Sequence, residues 1–96
     1  MTCLHTISRS PDSKLLESCL EVINNGDAIL FIEDGVYQGV SLANLQGIEK
    51  TVKLYGLRED MLARATLSKT ADRVEAIDTN RFVELCGEHD KVLSWF

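Results

Sequence analysis

The stretch DAILFIED, Asp27 to Asp34, carries an unbroken apolar centre from Ala28 to Ile32. A strand with one wet face alternates apolar and polar side chains. One that is apolar at every position is covered on both faces, the situation of an inner strand in a parallel sheet. Gly35 punctuates the run. Parallel neighbours cannot be joined by a tight turn, so the rest of the chain has to supply crossover connections, most economically helices.

The flanking sequence supplies them. CLHTIS, Cys3 to Ser8, is short and β-branched, as a strand should be. In SPDSKLLESCLEVINNG, Ser10 can cap a helix, Pro11 suits a first helical position that needs no N–H, Asp12 complements the positive helix end, and Asn24-Asn25-Gly26 stops it. Val40 to Leu45 reads as a short helix, Thr51 to Leu57 as a strand, Arg58 to Ala65 as a short helix and Arg73 to Ile77 as a brief strand. Asp78 or Thr79 can cap a last helix carrying Phe82, Val83, Leu85 and Cys86. The alternation predicts an α/β layered fold of about four mainly parallel strands with flanking helices. Ninety-six residues suit a single domain, 1–96.

Short helices around Leu42 and Leu62 cannot cover both faces of such a sheet, so apolar surface is expected to remain for a partner. The tail VLSWF, Val92 to Phe96, either joins that surface or folds back over its own core; the sequence leaves both open. The formal charge of −5 argues against direct nucleic acid binding, which draws its affinity from basic side chains on phosphates. No apolar run reaches membrane-spanning length and no signal peptide pattern opens the chain, so the expected location is cytoplasmic.

Cys3, Cys19 and Cys86 are an odd number at wide spacing, without a disulfide framework or a CxxC pair. At roughly 100° per residue, Cys19 falls inside the apolar arc made by Leu15, Leu16, Leu20, Val22 and Ile23. It lies two turns past the cap, and Glu17 and Glu21 oppose thiolate formation, so packing is the expected role. Cys86 shares a helix side with Phe82 and Val83 and is likewise expected to face inward. Cys3 has the least shielding but no evident activating base. Cys3-x-His5 and Cys86-x-x-His89 lack the spacing of a zinc finger or ribbon, so no metal site is assigned. His5 is expected to be a hydrogen-bonded residue at a sheet end. Ser8-Arg9-Ser10 lacks the glycines and lysine of a phosphate loop, Glu33-Asp34 reads as turn chemistry, and Asp60 with Arg64 is a helical i, i+4 pair. No motif calls for a cofactor.

LHTISRSP, Leu4 to Pro11, resembles the N-terminal signature of the TusB/DsrH family of sulfur-relay subunits. GDAILFIEDGVY (Gly26 to Tyr37), KLYGLREDMLARA (Lys53 to Ala65), IDTNRFVEL (Ile77 to Leu85) and the terminal Ser94-Trp95 match further family stretches in order. Thr79 stands where a tyrosine is common. The resemblance implies a DsrE/F-like fold and a place as the small subunit of a heterohexamer, beside TusC/TusD-like or DsrF/DsrE-like siblings. In such an assembly a larger sibling holds the principal persulfide cysteine and exchanges sulfur with a carrier protein. The family's sulfur ends in the 2-thio group of a tRNA wobble uridine or, in the Dsr branch, in sulfur oxidation. Cys19 occupies the place of a first-helix cysteine familiar in the DsrH branch, which keeps it as a candidate catalytic, sulfur-carrying residue. The resemblance otherwise implies an interaction subunit without its own catalysis; self-association of the isolated chain is expected through the uncovered apolar surface.

Overall fold

A computed structural model describes residues 1–96. Five strands form one sheet: β1 (Cys3–Ile7), β2 (Ala28–Phe31), β3 (Lys53–Leu57), β4 (Val74–Ile77) and β5 (Lys91–Trp95). Their spatial order is β4-β3-β2-β1-β5, and every neighbouring pair is parallel. The expected α/β architecture is present with one strand more than the four read from the sequence. The tail forms that fifth strand.

Four α-helices connect the strands: α1 (Leu15–Val22), α2 (Leu42–Leu45), α3 (Arg58–Ala63) and α4 (Thr79–Glu88). Their distribution follows from handedness. Parallel crossovers are right-handed, so connections stepping one way along a sheet lie on one face and a connection stepping back lies on the other. From β1 to β4 the chain steps one way, and α4 alone carries it back across to β5. Accordingly one face buries a cluster of 12 residues, among them Leu16 and Cys19 of α1, Leu45 of α2 and Met61 of α3. The other face buries only six, Leu4, Ala28, Leu30, Tyr55, Ile77 and Leu85, beneath α4.

Local details depart from the sequence reading. Ser10 precedes only a 3-10 turn, Pro11–Ser13, and its side chain makes no cap bond to it. Lys14, at φ 61°, breaks the path and α1 begins after it. Asp78 does cap α4, accepting the Arg81 N–H at 2.8 Å. On α4 the deeply buried residue is Leu85, whereas Val83 points to solvent and Cys86 is half-buried. Glu33 to Val40, expected to open as a simple turn, forms a 3-10 helix that closes over the carboxyl end of β1. Ile32 N–H donates to the Ile7 carbonyl at 3.0 Å, and a Cβ on Gly35 would lie 1.9 Å from that same oxygen. Only glycine tolerates so close a backbone approach.

Candidate functional site

The sulfur and imidazole groups singled out in the sequence gather around β1. Register places Cys3, His5 and Ile7 on the face covered by α1, with Ile29 beside His5 on β2 and Leu93 beside it on β5. Cys19 reaches the same face from α1 and has no exposed surface. Burial, with the Cys3 thiol and the Asp27 carboxylate also opposing a negative charge, pushes its pKa up to about 12. At neutral pH such a thiol stays protonated. Cys3, half-buried, is also raised, by burial and then by Asp27, with Lys91 working against them. Cys86 is separate from both, on α4 and packed against the cluster of the opposite face.

The best-ordered chemistry here is a polar chain the sequence did not announce. His5 lies mid-strand, not at the sheet end expected for it, and is 2% exposed. Its Nε2 is 3.1 Å from Asp27 Oδ2, and its Nδ1 accepts the Trp95 indole N–H at 3.2 Å. Asp27, also 2% exposed, accepts the Cys3 N–H at 2.9 Å and the Asn24 N–H at 3.0 Å. Burial by itself would raise the Asp27 carboxyl; the hydrogen bonds from Asn24, His5 and Cys3 outweigh it and hold the group below the usual carboxylate value. A groove of about 370 Å³ opens beside this chain, bordered by Cys3, His5, Val22, Asn24, Asp27 and Lys91. Sequence reasoning missed Asp27 and Trp95 because each looked like the edge of an element; only pairing β5 against β1 brings residues 5 and 95 together.

The remaining candidates disperse into structural work. His89 bonds to the Thr2 hydroxyl at 3.0 Å, and nowhere do three or more His, Cys, Asp or Glu side chains converge as a metal would require. Arg64 pairs with Asp34 at 2.8 Å and Asp60 at 3.9 Å, tying α3 to the 3-10 helix. The Ser8 hydroxyl donates to the Trp95 carbonyl at 3.2 Å. The Arg9 carbonyl accepts from Gln38, itself 1% exposed. The carboxyl ends of the strands, where open α/β sheets hold their ligands, are thus occupied at β1 by the chain itself. The largest concavity, about 780 Å³ between α2 and the approach to β4, is lined by Arg73. Both Nη groups of Arg73 are spent on the carbonyls of Leu45, Ile48, Glu49 and Val52.

The other outstanding surface is the outer edge of the sheet. β5 pairs with β1 on one side only, and Val92, Leu93 and Phe96 are 42%, 43% and 81% exposed. These features define a small all-parallel α/β protein with a sequestered thiol, a buried hydrogen-bond chain and an apolar sheet edge. The family model described as DsrH like protein matches residues 9–92. Protein TusB of Pectobacterium carotovorum is 34% identical over 94 residues, covering 96% of this chain and 99% of that protein. Protein TusB of Escherichia coli is 32% identical over 96 residues, with the same coverage. The solution structure of protein Tm0979 from Thermotoga maritima superposes with a TM-score of 0.68 at 22% identity, covering 90% of this chain and 92% of that one. The chain belongs to the TusB/DsrH family.

Proposed function

We propose that this protein is the small, partner-specifying subunit of a cytoplasmic sulfur-relay complex, and that the relay ends in 2-thiolation of the tRNA wobble uridine. The observation that carries the reading is the outer edge of β5: unpaired backbone beside Val92, Leu93 and Phe96 is a surface suited to companion chains of the TusC and TusD kind. The acidic charge of −5 favours contact with proteins over direct contact with RNA. A thiol held near 12 without exposed surface is a poor acceptor of persulfide sulfur, so transfer runs between the siblings and their carrier protein. The relatives named TusB support the tRNA branch. The DsrH description of the family model supports the alternative, a subunit of a sulfur-oxidising complex in which Cys19 takes up sulfur itself.

The test is a Cys19→Ala variant in cells lacking the native gene, with tRNA 2-thiouridine quantified and the complex recovered by affinity purification. Alanine is preferable to serine, because a hydroxyl at that site would be buried without a partner. Retained thiolation in an intact complex is the expected result. Loss of thiolation from an assembled complex overturns the partner-only role and assigns the sulfur to Cys19.

A further inference from the structure

An indole N–H can only donate, so the His5 Nδ1 facing Trp95 Nε1 at 3.2 Å carries no proton. The ring proton is therefore on Nε2, donated to Asp27. This fixes one tautomer by its partners on both sides. A proton added at Nδ1 would set two N–H groups against each other across that distance, while the Nε2–H bond to Asp27 would gain the attraction of opposite charges. The conflict falls wholly on Trp95.

We propose that His5 is a proton-operated latch: with Nδ1 free it holds the Trp95 side chain against the sheet, and on taking a proton from solvent there it releases the indole N–H. The backbone of β5 stays, because the Trp95 carbonyl accepts from the Ser8 N–H and hydroxyl. The indole also packs against the apolar cluster under α1, so losing the bond loosens it without expelling it, and acid raises the exposure of the sheet face that Trp95 shares with Leu93.

The titratable and charged groups around the ring come from four segments. Asp27, at the entry to β2, meets Nε2, and Lys91 on β5 borders the same groove. Cys3 on β1 and Cys19 on α1 stay neutral thiols, their ionisation suppressed by burial. Glu17 and Glu21 of α1 are exposed to solvent. His89 is engaged with Thr2 and is the one competing imidazole.

Having one tryptophan and two histidines, the full-length ¹⁵N-labelled chain reports the latch without ambiguity. Long-range ¹H–¹⁵N correlation at about pH 8 should show the Nε2–H tautomer at His5. Between about pH 8 and pH 5, where imidazoles titrate, the Trp95 indole resonance should move in step with His5. Its exchange with solvent, corrected for the intrinsic pH dependence, should quicken roughly five- to tenfold, the factor one net hydrogen bond supplies. His89→Gln assigns the second imidazole and should leave this response intact. His5→Asn offers a carbonyl oxygen where Nδ1 stood and does not titrate, so the indole should stay protected throughout. Should that variant not fold, Trp95→Phe provides the independent reading. Its His5 should take up the proton more readily than in the native chain, because no hydrogen bond has to be surrendered. An Nδ1–H tautomer at pH 8, an indole indifferent to His5, or an unmoved His5 midpoint in Trp95→Phe would each overturn the latch.

Discussion

β2 and β5 lie on either side of β1, run parallel to it, and are built on different principles. In β2 all four residues, Ala28 to Phe31, are buried. In β5 Lys91 to Ser94 are exposed and only Trp95 is partly covered. β2 is held by desolvation of its side chains, and β5 mainly by its backbone ladder and by polar bonds to β1, Thr6 to Ser94 at 3.1 Å, Ser8 to Trp95 and Trp95 to His5, with the Trp95 indole its one side chain packed on the core. An inner strand is thus fixed by what it removes from water. The edge strand is attached while its side chains stay available.

Substitutions can break this contrast. Phe31→Ala should lower unfolding stability by about 3–5 kcal/mol, read as a shifted urea midpoint, because it empties a fully buried site on β2. Next in size is Gly35→Ala, about 2–3 kcal/mol, since the new methyl group meets the Ile7 carbonyl of β1. Gly47→Ala, with nothing within 4 Å, should be close to neutral and serves as its control. Asp27→Asn should cost about 1.5–3 kcal/mol at pH 7 by weakening the charged acceptor that links β1, β2 and His5.

The pH dependence of that third effect has a definite sign. The folded Asp27 carboxyl lies below its ordinary value of about 3.8. Its contribution is therefore complete above that value and disappears as pH falls through the lower folded-state value. Denaturant melts of the native chain and Asp27→Asn should differ fully at pH 7 and converge toward pH 3 or below. The smallest expected effect is on β5, where Val92→Thr and Phe96→Ala should change stability by less than about 0.5 kcal/mol. The same two changes should reduce co-purification with sibling subunits. A large loss of stability from either would erase the distinction between the strands.

The contrast also explains what could be read in advance. β2 was legible because burial on both faces demands an apolar residue at every position, and Ala28 to Ile32 supplies one. β1 followed from its short β-branched run, and the ends of the first and last helices from residues such as Gly26 and Asp78. β5 was not legible as a strand, because Lys91-Val92-Leu93-Ser94-Trp95 has neither the buried run nor a following turn, and its ladder depends on residues some 88 positions away. The same separation hid the site: Asp27 and Trp95 acquire their meaning only when both ends of the chain meet at His5. Cys19 could be placed on the buried side of α1 by helical spacing alone. That Asp27 adds to the pressure on its thiol is a tertiary fact.

Thr2 and Asp90 exchange two bonds, Thr2 N–H to the Asp90 carboxylate at 2.7 Å and Asp90 N–H to the Thr2 carbonyl at 3.0 Å, where β5 begins beside β1. During synthesis β1 emerges early and β5 late, so an inner strand of the finished sheet spends most of translation as its bare margin. Until β5 arrives that margin is an open parallel edge able to accept a strand from another chain.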